Sequence, residues 1–203
     1  MLRKKLALLA VFNLLFAVSF TANAQSANAL LRGNYPVAGN PKGNITVVEF
    51  FDYQCSHCAS MAPVISAVIR SNPNVRFVFK DFPIRGPMSE YAARAALAAN
   101  MQGKYYQLNH ALLTTNEPLT KENVISIAKA NGLNTKKLEK DMFSATVTNQ
   151  LKGTYQLAQE LKLTGTPAFF IGKTNSNSLS NVNYVLGEMS QSDLQTAIDQ
   201  AKK

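Results

Sequence analysis

Two cysteines, Cys55 and Cys58, are the whole thiol content of this 203-residue chain, and only Ser56 and His57 separate them. A disulfide across so short a loop closes only on tightly turned backbone, such as the first turn of a helix. It restricts the unfolded chain little, because the stabilisation from a cross-link grows with the loop it closes. The pair therefore reads as a redox switch and not as a brace. The apolar run Ile45 to Phe51 just ahead of it reads as a strand covered on both faces. A strand feeding a CxxC at a helix start marks an α/β redox fold.

The N-terminus suggests a compartment. Arg3, Lys4 and Lys5 precede the apolar stretch Leu6 to Phe20, and Ala22-Asn23-Ala24 has the small-x-small form of a cleavage site. Residues 1–24 are expected to be a signal peptide, with a second site after Ala29 as the alternative. The apolar stretch falls short of the roughly twenty residues a spanning helix needs. Export would place the protein in the periplasm, where a cysteine pair can rest oxidised. The formal charge of +9 falls to +6 when the three leader cations are removed. Lys136, Lys137 and Lys140 cluster without interleaved aromatics, so nucleic-acid binding is not expected and a solvated face is.

Residues 25–44, with Gly33, Pro36, Gly39, Pro41 and Gly43, are expected to form an irregular lead-in with one helical turn near Leu30. The motif opens a helix to about Arg70, and Asn74 to Asp81 alternates as a second strand. From Met88 to Leu163 the apolar period is helical. Strand character returns at Ala168 to Ile171 and at Val182 to Leu186, and Ser190 with Asp193 reads as a variant capping box for a last helix. The expected order is β, α, β, helical block, β, β, α.

Val48-Glu49-Phe50-Phe51-Asp52-Tyr53-Gln54-Cys55-Ser56-His57-Cys58, the later Gly165-Thr166-Pro167-Ala168-Phe169-Phe170 and the helical block between them resemble the DsbA family of exported thioredoxin-fold thiol-disulfide oxidoreductases. Pro63 matches the family's helix-kinking proline. The resemblance implies an α/β thioredoxin fold over 45–203. Its core would be 45–82 and 164–203, with a helical insertion at 83–163 between the second strand and the cis-proline strand.

A cysteine at a helix N-terminus faces orphan N–H groups and the positive end of the dipole, which favour its thiolate. Cys55 is expected to be that nucleophile, with a depressed pKa. His57 is expected to add a hydrogen bond or charge to the same sulfur, as the family's histidine does, and Cys58 to be the more buried resolving partner. The resemblance further implies that Glu49, costly in an apolar strand unless paired, handles the proton of the inner cysteine, with Lys80 as its partner. A purely structural ion pair is the alternative. Pro167 should be cis and leave backbone free for a bound peptide, with Thr166 facing the sulfurs. Ser56 departs from the proline common in the family, which bears on oxidant strength.

The leading functional expectation is an oxidase donating the Cys55–Cys58 disulfide to reduced exported proteins. It would need no cofactor and would be recharged by a quinone-linked membrane protein. An isomerase or reductase of the same fold is the runner-up; the short stretch before Ile45 favours a monomer, with a dimer open. A copper or zinc carrier using Cys55, His57 and Cys58 and a chaperone with incidental cysteines complete the alternatives; no dedicated metal site is expected.

Overall fold

The seven residues Ile45–Phe51 (β2) are buried without exception, so both faces of this strand are covered. In the computed structural model, which describes residues 24–203, β2 lies at the centre of a five-stranded sheet. It pairs in parallel with Val75–Asp81 (β3) and antiparallel with Ala168–Lys173 (β4). Val37–Gly39 (β1) closes one edge against β3, and Val182–Leu186 (β5) closes the other against β4. The signal-peptide expectation falls, apart from Ala24, outside the described residues. No described helix is long and apolar enough to cross a membrane.

The period-2 alternation of the strands sorts their side chains onto two layers. Ile45, Val47, Phe51, Phe77, Phe79, Phe169 and Ile171 enter one core, beneath Ser56–Ser71 (α2) and the last helix, Gln191–Lys202 (α8). Val48, Phe50, Val78 and Phe170 enter the other, beneath a short helix at residues 24–31 (α1) and part of Ala145–Glu160 (α7). Between β3 and β4 run Pro87–Asn100 (α3), Tyr105–Thr114 (α4), Lys121–Ala130 (α5), Thr135–Asp141 (α6) and α7. The alanines of α3 from Ala92 to Ala99 are fully buried, and their small side chains let the surrounding helices close on it.

The lead-in departs from the irregular stretch expected. It holds a full helix whose Ala27, Leu30 and Leu31 are completely buried, and the edge strand β1. Three residues flanked by Pro36 and Gly39 carry too little alternation to read as a strand; β1 forms because the edge of β3 offers unpaired backbone groups. Ser190 caps the last helix, its hydroxyl accepting the Asp193 N–H at 3.1 Å and donating to the Asp193 carboxylate at 2.7 Å, so the reciprocal bond of a capping box is replaced by one between the two side chains.

Candidate active site

Cys55 is the N-cap of α2, with extended backbone (φ −90°, ψ 113°) and a carbonyl that accepts the Ala59 N–H at 3.0 Å. This puts its sulfur over the uncompensated amides of the first turn. Cys58 lies one turn along on the buried side, and both are free thiols here. Pro63 sits inside α2, where it removes one helical donor.

The two sulfurs are held in opposite electrostatic states. Burial alone would push the Cys55 thiol up. Hydrogen bonding with Thr166 and with Cys58, then the charge of Arg85, outweigh it and bring Cys55 below the ordinary thiol range. Burial pushes Cys58 far up, and the nearby Glu49 carboxylate pushes it further. Cys55 is thus the sulfur that ionises, and Cys58 the one that keeps its proton.

The Thr166–Pro167 bond is cis and sets this loop beside the motif. Thr166 faces the sulfur, its carbonyl accepting from Cys55 Sγ at 3.3 Å. The Thr166 hydroxyl is buried with no well-formed hydrogen bond among the described residues. A Cys55 thiolate would supply the acceptor it lacks. The Pro167 carbonyl accepts the Gly187 N–H at 2.8 Å, which ties the start of the loop after β5 to the cis-proline loop.

Two expected partnerships are absent. His57 does not turn to Cys55; its Nδ1 donates to Glu188 Oε1 in the loop before α8. The His57 side chain projects into solvent, and a carboxylate on the facing loop competes for it better than a sulfur tucked under the helix tip. Lys80 does not pair with Glu49. The parallel register sets Glu49 beside Phe79 and Phe50 beside Lys80, so the two charges point to opposite faces of the sheet. Lys80 instead donates to the Ala29 carbonyl at 2.9 Å and lies 3.0 Å from the centroid of the Tyr35 ring. Arg76, on the same face, donates to the Leu31 carbonyl at 2.5 Å. Both cations answer the orphan carbonyls at the end of α1.

Glu49 is left 1 % exposed with neither carboxylate oxygen hydrogen-bonded among the described residues. Burial, then the negative charges of Asp81 and Cys55, push its pKa up to about 8. At neutral pH it is mostly a neutral acid near Cys58 and not half of an ion pair.

Several contributors were not expected from the sequence. Asp52 anchors the loop after β3: its Oδ2 accepts the Arg85 N–H at 2.9 Å, and its Oδ1 accepts the Gln54 N–H and the Ser89 hydroxyl, both at 2.7 Å. This clamp holds Arg85 where its charge reaches Cys55. Asp81, buried on the Glu49 face, accepts from Tyr105 at 2.8 Å and Tyr53 at 3.1 Å, and Asn109 donates to the Tyr53 hydroxyl at 3.1 Å. Burial raises Asp81 to about 7 even though these phenols favour its charged form. An acid directly after an apolar strand was the one sequence cue to Asp52; Arg85, Asp81 and Glu188 left none. Among the described residues no three His, Cys, Asp or Glu side chains are grouped to hold a metal ion.

The comparisons agree with this geometry. The model of the DSBA-like thioredoxin domain matches residues 46–199. A thioredoxin-like oxidoreductase from Silicibacter pomeroyi DSS-3 is 39 % identical, with a TM-score of 0.78 over 86 % of this chain and 96 % of its own. BcfH from Salmonella enterica Typhimurium is 31 % identical, with a TM-score of 0.74 over 99 % of this chain and 90 % of its own. The thiol:disulfide interchange protein DsbA of Bordetella pertussis is 28 % identical over 156 residues, 73 % of each protein. The chain also matches Na(+)/H(+) antiporter NhaA proteins such as that of Salinispora tropica, but spans only 23 % of that protein's length. With its two sulfurs set apart at a helix tip beside a cis-proline loop, the chain belongs to the DSBA-like thioredoxin domain family.

Proposed function

We propose that the protein is a periplasmic oxidase that passes the Cys55–Cys58 disulfide to reduced exported polypeptides and is recharged by a quinone-linked membrane protein. The observation that carries this reading is the opposed state of the two sulfurs, Cys55 drawn down and Cys58 pushed up. A substrate thiolate attacks Cys55 Sγ. The Cys55–Cys58 bond breaks, and its electron pair goes to Cys58, a poor leaving group unless protonated as it departs. Glu49, mostly protonated near neutral pH, gives that proton, and its raised pKa supports the assignment. The substrate's second thiolate then attacks the substrate sulfur of the mixed disulfide. Cys55 leaves as a stabilised thiolate, and the substrate carries away the new disulfide.

An isomerase or reductase is the second reading, and the His57–Glu188 contact favours it, since a histidine withheld from Cys55 leaves the thiolate less stabilised and the oxidant weaker. Trapping the cysteine pair in living cells separates the two. A pair found mostly as disulfide, with oxidised protein converting reduced peptide dithiols one for one, supports the oxidase; a pair found mostly as dithiol sinks it.

A further inference from the structure

A cleft of about 310 Å³ opens beside Cys55 between the motif and the helical block, at the lower end of the range for small-molecule sites. Leu112 and Leu113 at the end of α4 form its floor, and Leu119 its outer apolar wall. The linking segment 115–120 has a defined shape: Thr115 Oγ1 accepts the Glu117 N–H at 3.1 Å, and Asn123 donates to the Pro118 carbonyl at 2.9 Å. Glu117 is the one charged side chain in the lining, is exposed, and takes no part in the ion pairs among the described residues.

We propose that this cleft is a specificity subsite for the substrate polypeptide, taking the side chains next to the reacting cysteine and favouring a basic residue there through Glu117. The proposal rests on the exchange reading above and names the sequence that the exchange prefers. The occupant follows from the chemistry. Cys55 is 1 % exposed but lines this cleft, and the mixed disulfide ties the substrate sulfur to it. An extended segment advances roughly 3.3 Å per residue, so residues one and two positions from that sulfur lie within the cleft. The other side of the sulfur is occupied by the Thr166 carbonyl. Leu112, Leu113 and Leu119 offer apolar contact to the arriving chain, and Glu117 meets a cation at the rim.

The test uses the oxidised full chain and three dithiol peptides that differ only in Arg, Gln or Glu beside the first cysteine. Stopped-flow rates are expected in the order Arg, Gln, Glu, each step by up to about fivefold, the size of an exposed charge pair. The spread should narrow in high salt. The Arg-to-Glu rate ratio should shrink in E117Q and invert in E117K, with melting curves showing that both variants remain folded. In L119Q, a peptide with Leu two residues from the cysteine should lose its advantage over one with Ser. An Arg-to-Glu ratio unchanged in E117K overturns the subsite. Failure of the unaltered protein to oxidise any of the peptides overturns the exchange reading instead.

Discussion

Arg85 illustrates how much a single side chain owes to atoms far from it in sequence. Its charge helps hold Cys55 down, yet its place depends on a carboxylate 33 residues earlier, Asp52, gripping its amide. Replacing it with Met should slow Cys55 alkylation at mildly acidic pH by about two- to fivefold, as expected for one exposed charge. Arg85→Lys should restore most of the rate, and equal rates in all three proteins would remove Arg85 from the site. Asp52→Asn tests the clamp with competing effects: it removes a negative charge near the sulfur but also loosens Arg85. Glu49 offers a sharper test. In Glu49→Gln, peptide oxidation should fall by about 10²-fold, the usual contribution of a general acid. Expressed per substrate thiolate, the unaltered enzyme should slow as pH rises through about 8, where Glu49 loses its proton. The variant should show no such break; a break that persists assigns it to another group. The pairing of Cys55 with Cys58 was legible from local spacing, and Glu49 entered only through the family resemblance. The partners of His57 and Lys80 were not legible, because a side chain's contact is decided by which face of the sheet or which loop it meets.

At the scale of elements, α4 and β3 meet through a buried hydrogen-bond network and not through apolar packing alone. Both oxygens of Asp81 accept phenols, one from α4 and one from the loop that leads to Cys55, so the network ties the helical block to the redox motif. Tyr105→Phe leaves one buried oxygen unsatisfied and should cost about 1–3 kcal/mol in urea unfolding. A loss below about 0.5 kcal/mol would show that water supplies the missing donor. At the end of the chain Ser190 caps α8, and Ser190→Ala should lower stability by about 1 kcal/mol. The helices and the last cap were readable because apolar period and capping residues are local signals. The edge strand β1 was not, since three residues hold no periodicity and their pairing partner lies 37 to 41 residues on.

The whole molecule carries buried acids whose charged forms it disfavours. Unfolded Glu49 titrates near 4.5 and folded Glu49 near 8, so between those values the folded state holds the extra proton. Folding stability from this group is therefore fullest below about 4.5 and is lost as pH rises through 8. Asp81 acts in the same direction between 3.8 and about 7. With both cysteines reduced, the stability of Glu49→Gln relative to the unaltered protein should climb with pH across this window. The climb should be on the order of 3 kcal/mol, below the full 1.36 kcal/mol per pKa unit because a buried site relaxes. A difference that stays flat with pH would mean that Glu49 is already ionised when folded.

The amino-acid sequence alone determined the redox pair, its place at a helix start after a buried strand, and the order of helices and strands around it. Each of these depends on spacing and period within a few residues. Tertiary structure decided which charges meet: His57 went to Glu188, Lys80 to the end of α1, Arg85 to the neighbourhood of Cys55, and Glu49 was left without a cation. Electrostatic partnership depends on distance and on sheet face, and one step of register along β3 is enough to send a lysine to the opposite side from the acid it was expected to join.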